Sequence, residues 1–191
     1  MPFCISKDQA MDAALVSAIL QRWRTEEYPR LCRFYDYYMG NQDILRKRYS
    51  DPSKPCNHIV TNYCDNIVNN YTGYITGLPV TYKSQADMTV VQDVLNYNDV
   101  RTKDSELLRM ALIYGKAYEL HYIDEDGAER FDVLDARDGI PVYDNTIERQ
   151  LLYFIRFYPE STLREDSDYL VDVYTESTID HYKSDSGWSV V

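Results

Sequence analysis

Through the first part of the chain, apolar residues recur at helical spacing. Met11, Leu15, Ile19 and Trp23 fall three or four apart behind Ser6-Lys7-Asp8-Gln9, which has the hydroxyl and the Gln of a capping box, so the pattern predicts a helix over about 7–24. Pro29 suits the first turn of a second helix with an apolar face of Leu31, Phe34, Tyr35 and Tyr38, ended by Gly40, and 41–49 leaves room for a further short turn. Asn57 is placed to cap a third helix carrying Val60, Cys64, Val68, Tyr71 and Ile75, stopped by Gly77 and Pro79. Pro79 to Ser84 reads as a short strand, Val90, Val91, Val94 and Leu95 as a short helix, and Leu107, Leu108, Ala111, Leu112 and Tyr114 as a longer helix closing at Gly115.

From 116 the period changes to two. Ala117, Glu119, His121 and Ile123 alternate with Tyr118, Leu120 and Tyr122, and Asp126-Gly127 is a hairpin signal. Further strands are expected at 129–134, 140–143 with Asp144-Asn145 as a turn, 150–158, 169–175 and 178–183, with Ser186-Gly187 turning into Trp188-Ser189-Val190-Val191. The expectation is an α+β chain, mainly helical over 1–115 and mostly antiparallel β over 116–191. The last segment reads either as a short final strand or as a strand cut by the end of an N-terminal piece of a longer protein.

Composition narrows the function. With 191 residues, 45% hydrophobic, and only seven Gly and seven Pro, the chain has material for a core and no low-complexity character. Its net charge of −11 argues against tight sequence-independent binding of nucleic acid through phosphate neutralisation. The imbalance is local, since residues 1–80 carry 9 basic and 8 acidic groups and residues 81–191 carry 11 and 23. No apolar stretch approaches the ~20 residues of a membrane span, and Met1-Pro2-Phe3-Cys4 does not open a signal peptide, so no membrane partner is expected. Cys4, Cys32, Cys56 and Cys64 are scattered and read as thiols.

Candidate chemistry is sparse. Neither G-x-G-x-x-G nor a P-loop occurs, and Gly73-x-x-x-Gly77 is a spaced pair in which Gly77 reads as a helix end. Cys56-x-His58-x5-Cys64 lacks the paired spacing of a structural zinc site, so no metal or cofactor is expected, and His121 and His181 read as strand residues near the surface. Asp124, Asp126, Asp132, Asp135, Asp138 and Asp144 invite comparison with a magnesium site, and a nuclease or phosphotransferase using Asp132, Asp135 and Asp144 is the competing enzyme reading. Several of these lie in turns, where Asp bonds to nearby backbone, and that reading is preferred. Arg46-Lys47-Arg48 with Lys54 reads as a solvated surface. Nineteen tyrosines remain, more polar-tipped rings than one small core requires, which suits protein–protein contact.

Several segments together resemble the portal proteins of tailed bacteriophages, in the family typical of long-tailed phages and prophages of Gram-positive hosts. Residues 34–45, Phe34 to Leu45 around Tyr38 and Gly40, are similar to the family's "YYxGxxxIL" helix, and 57–63 around Asn62 are similar to its "NNRIVNNY" element, with His58 and Thr61 departing from it. Residues 67–82, with Tyr71, Gly73, Tyr74, Gly77, Pro79 and Tyr82, resemble "TGYLxGxPVxY". Gly115 and Tyr118 stand in a "GxAYE" junction, and Pro141 and Tyr143 in an "FPVYD" segment.

The resemblance implies a structural subunit and not an enzyme. It would form a homo-oligomeric ring, a dodecamer, at a capsid vertex, with terminase, capsid and head–tail adaptor proteins as partners and double-stranded DNA passing without sequence-specific binding. Residues 1–115 and 116–191 would then be the helical and β-rich parts of the wing, with stem, clip and crown beyond Val191. An acidic surface would suit a channel that must not grip phosphate. A stand-alone phage adaptor or interaction domain is the other non-enzymatic reading.

Overall fold

The structure, a computed structural model, describes residues 3–48, 55, 57–161, 163 and 168–184. The chain divides into two compact units, one formed by Met1–Arg30 with Ala136–Val191 and the other by Leu31–Asp135. The α+β class is as the sequence predicts, and the change from helix to strand after Gly115 falls inside the second unit.

The first unit is built on a five-stranded sheet. Strand β1 (Phe3–Ile5) runs parallel to β4 (Gly139–Asp144), and β5 (Leu151–Pro159), β6 (Tyr169–Tyr174) and β7 (Ile179–Ser184) continue it antiparallel in the order β1-β4-β5-β6-β7. Alternate residues Ile140, Val142, Ile155, Phe157, Val171 and Val173 are buried, and with Val16, Ile19 and Leu20 of helix α1 (Ala13–Arg22), Trp23 and Phe3 they supply the core. Trp23 packs its ring 6.0 Å from that of Phe3 and donates its indole N–H to the Arg137 carbonyl at 3.4 Å. The opposite face carries a charged row, Arg156, Asp172 and His181 on three neighbouring strands, where His181 Nδ1 lies 2.7 Å from Asp172 Oδ1.

The start of the chain differs from the expectation. The Ser6–Gln9 box closes a turn, Gln9 N–H to Ser6 carbonyl at 3.0 Å, and the cap of α1 is Asp12, whose Oδ1 accepts the Leu15 N–H at 2.8 Å. The second helix, α2 (Tyr28–Tyr38), has Pro29 in its first turn as expected, but it is joined to α1 without a break by a π-helical turn, Trp23–Glu27. Pro29 explains the turn: it has no N–H to give and its ring would crowd the carbonyl one helical turn back, and the wider winding just ahead of it relieves the conflict. Tyr28 N–H reaches back five residues to the Trp23 carbonyl.

In the second unit, α3 (Tyr63–Ile75) and α4 (Thr89–Tyr97) each pack against α5 (Val100–Tyr114), which lies against the hairpin of β2 (Tyr118–Ile123) and β3 (Glu129–Leu134). A 3-10 turn, Asp43–Arg46, follows α2, in the short turn foreseen over 41–49. Val68, Tyr114 and Phe131 are buried, and Tyr35 stacks on Tyr114 with ring centres 6.4 Å apart. Asn98, 4% exposed between α4 and α5, accepts the Phe131 N–H at 3.2 Å and donates to the carbonyls of Val94 at 2.8 Å and Glu129 at 2.9 Å. It therefore fills the outer edge of β3, the side away from β2, as a neighbouring strand would.

Two further expectations are corrected. The cap of α3 is Asn62 and not Asn57, and residues 79–84 pair with no described strand, consistent with Pro79 removing a donor at their start. The expected turn at Ser186-Gly187 and the segment after it, with Lys54 and Cys56, lie outside the described residues.

Candidate functional site

The motif positions fall into four places. Tyr38, Gly40 and Asn62, far apart in sequence, meet at the joint between α2 and α3. Helix α2 ends with the Asn41 N–H on the Asp36 carbonyl at 2.7 Å and the Gly40 N–H on the Tyr37 carbonyl at 3.2 Å, the paired bonds of a Schellman ending, with Gly40 in the left-handed region at φ 83°. Asn62 then works in both directions: its Nδ2 donates to the Tyr38 carbonyl at 2.7 Å, and its Oδ1 accepts the Asp65 N–H at 3.3 Å to cap α3. A Cβ on Gly40 would stand 3.4 Å from Asn62 Nδ2. Nearby, Tyr37 and Arg33 both donate to Asp43 Oδ2, at 3.0 and 2.6 Å, and these bonds hold the Asp43 carboxyl below its usual range.

Tyr71, Gly73, Tyr74, Gly77, Pro79 and Tyr82 occupy a second place, an open surface along α3 and past its end. Helix α3 buries only Val68 and Thr72, so its expected apolar face is corrected: Tyr71 and Ile75 lie on the outside. The larger apolar groups, Tyr63, Ile67, Tyr71 and Tyr74, recur every three or four residues on the exposed side. Tyr74 is 89% exposed, and Leu78 just beyond the helix is 84% exposed. A Cβ on Gly77 would come within 2.7 Å of the Gly73 carbonyl oxygen, so only glycine fits the sharp exit of the chain from α3. Beside that exit, Ile75, Leu78, Pro79, Val80 and Leu108 line an apolar pocket of about 210 Å³, with Arg101 and Asp104 at its polar side.

The remaining positions lie one pair in each unit. Gly115 ends α5 at φ 72°, its N–H on the Ala111 carbonyl at 2.9 Å, and turns the chain toward Tyr118, the first residue of β2. In the other unit Pro141 and Tyr143 lie in β4. A proline is tolerated there because the described residues of β1 pair with 142–144, so Pro141 stands where no described strand needs its missing N–H.

The acidic residues act locally. Asp124 Oδ1 accepts the N–H groups of Asp126 at 3.0 Å and Ala128 at 2.8 Å, shaping the hairpin turn. Asp144, 1% exposed, accepts the Thr146 hydroxyl at 2.7 Å and the N–H groups of Gln150 and Thr146 at 3.1 and 3.2 Å. The Thr146 hydroxyl is the main reason its carboxyl sits below the usual range, against the opposing effect of burial. Asp132 bonds to Lys103 Nζ at 2.6 Å, and Tyr114 Oη reaches Asp135 at 3.4 Å. Among the described residues no group of three or more His, Cys, Asp or Glu is placed to hold a metal ion, and no helix is long and apolar enough to cross a membrane. His58 and the basic residues Arg46, Lys47 and Arg48 are exposed, and Cys4, Cys32 and Cys64 are thiols.

Sequence reasoning missed Asn98 and the outward turn of α3. Nothing local to Asn98 signals its burial, because two of its three side-chain bonds run to residues more than 30 positions away.

Comparison with known proteins gives a consistent result. The model of the family described as phage portal protein, SPP1 Gp6-like, matches residues 18–189, which takes in parts of both compact units. The chain is 24% identical over 184 residues to the portal protein of Bacillus phage SPP1, covering 90% of this chain and 36% of that protein. It is 27% identical over 170 residues to the portal protein of Clostridium phage phiCD119, covering 77% of this chain and 38% of that protein. The chain thus spans little more than a third of either relative's length.

Proposed function

Because this chain belongs to the SPP1 Gp6-like family of phage portal proteins, we propose that it is the wing part of a structural subunit whose copies close into a ring at one vertex of the capsid. Through that ring the genome is packaged and later released, with terminase, capsid and head–tail adaptor proteins as partners. The observation that carries the reading is the family match over residues 18–189, which extends well beyond the motif segments that first suggested it.

The chemistry of the chain supports a mechanical role. The carboxylates a metal-dependent nuclease would use are engaged otherwise, Asp144 with the turn after β4 and Asp132 with Lys103. A net charge of −11 leaves little net attraction for the DNA backbone, so a passing duplex is not gripped. A ring also needs a heterologous contact, in which one patch meets a different patch on the next subunit and the rotation closes.

The test is electron microscopy in negative stain, with mass measurement, of the gene product carrying this chain at low and moderate salt. Rings with a central channel are expected; a monodisperse monomer at every salt overturns the ring. Incubation with plasmid DNA and Mg²⁺ should leave the plasmid intact, and cleavage that disappears in Asp132→Ala would restore the enzyme reading.

A further inference from the structure

We propose that the exposed side of α3, continued past the helix by Leu78, is a contact surface for a second copy of this chain. The inference rests on the ring reading and names the residues that one side of its subunit contact would use.

Three observations carry it. The first is area. Tyr63, Ile67, Tyr71, Tyr74, Ile75 and Leu78 are each more than half exposed. With aromatic side chains carrying roughly 150–250 Å² apiece, they leave on the order of 700 Å² of side chain open, near the ~800 Å² each partner brings to a standard interface. The largest apolar patch on a typical monomer is about 300–600 Å².

The second is charge. From Asn66 to Tyr82 there is no charged side chain, in a chain of which 27% of residues are charged and whose net charge is −11. Two copies carrying that charge repel one another, so they approach at least cost where neither presents carboxylates. Depletion of charge with enrichment of tyrosine is also the compositional mark of interface centres.

The third is the kind of apolar group. The sheet core of the other unit is filled by Ile, Val and Phe, whereas this stripe carries three tyrosines bordered by exposed Asn66 and Asn70. Rings with hydroxyl tips and amides stay soluble before assembly and form hydrogen bonds after it, which suits a surface that meets a separately folded chain better than one buried within its own. At one end, the pocket of about 210 Å³ beside Ile75 and Leu78 gives the surface a recess for an apolar side chain of the neighbour.

The experiment places a photoreactive residue in the stripe of the full gene product, Tyr74→p-benzoyl-phenylalanine, and irradiates it. The expected result is a ladder of covalent dimers and higher multimers, with peptide mapping to a second copy. Ile67→Asp, at an exposed position, should leave the helical circular dichroism unchanged, lower that ladder at least tenfold and shift sedimentation toward smaller species. Cross-links confined to a single chain, or none, overturn the proposal, as does a ladder that Ile67→Asp leaves intact. Rings in the microscope without an inter-chain product would defeat this contact and keep the portal reading; a ladder from a protein that never forms rings would do the reverse.

Discussion

In the sheet unit Ile140, Val142, Ile155, Val171 and Val173 are wholly buried, whereas in the unit containing α3 residues of the same apolar kind, Ile67, Ile75, Leu78 and Val80, stand more than half in solvent. Overall hydrophobicity does not separate the two groups. What separates them is the period of the surrounding structure and what lies alongside. A sheet strand with a covered face hides every second residue, and here that face is closed over. Helix α3 buries only Val68 and Thr72, half-buries Cys64 and Asp65, and shows most of the rest. The first arrangement puts its apolar residues to use in folding; the second keeps them for contact.

That contrast can be broken by substitution. Ile155→Ala should cost roughly 2–5 kcal/mol in urea unfolding, because a wholly buried branched side chain leaves a cavity. Ile67→Ala on the outer side of α3 should stay within about 0.5 kcal/mol. Similar losses for both would mean that α3 is part of a core after all. Asn98→Ala should cost about 2 kcal/mol, since it strands the Phe131 N–H and the Glu129 carbonyl without their partner.

Gly40→Ala should cost about 1 kcal/mol, because its φ of 83° is strained for a residue with a side chain. If that variant keeps full stability, the joint between α2 and α3 does not depend on this geometry. The smallest effect is that of acid on Asp144. Its folded carboxyl lies below the usual range, so its contribution is complete above the unfolded value of about 3.9 and is lost as pH falls through the lower folded value. Thermal unfolding between pH 6 and pH 3 should fall more steeply for the native chain than for Asp144→Asn, and equal slopes would remove Asp144 from the account.

Much of the architecture was legible in the sequence, where it is written in local terms. The Asp126-Gly127 hairpin, the strands after 129 and the closing of helices at Gly40 and Gly115 all follow from neighbours within a few residues. What escaped was set by distant partners or by competition. Ser6 had the form of a cap but Asp12 took the role, and Pro29 stands in the first turn of α2 as expected, while the π-helical turn that joins that helix to α1 had no local signal. The short β1 was invisible because three residues carry no periodicity, and its reason for pairing lies in β4. At the candidate surface, the motif positions could be listed from sequence, but which side of α3 they face depends on how little of that helix α5 covers.

The placement of Asn98 has a consequence for a protein made in many copies. A two-stranded hairpin presents backbone groups along its outer edges, to which an incoming extended segment can add. At β3 one such donor and one such acceptor are already taken by a side chain fixed between two helices. An errant strand would have to evict a buried amide before it could pair there. Copies held close together can therefore meet through side-chain surfaces without this edge becoming a seed for runaway fibres.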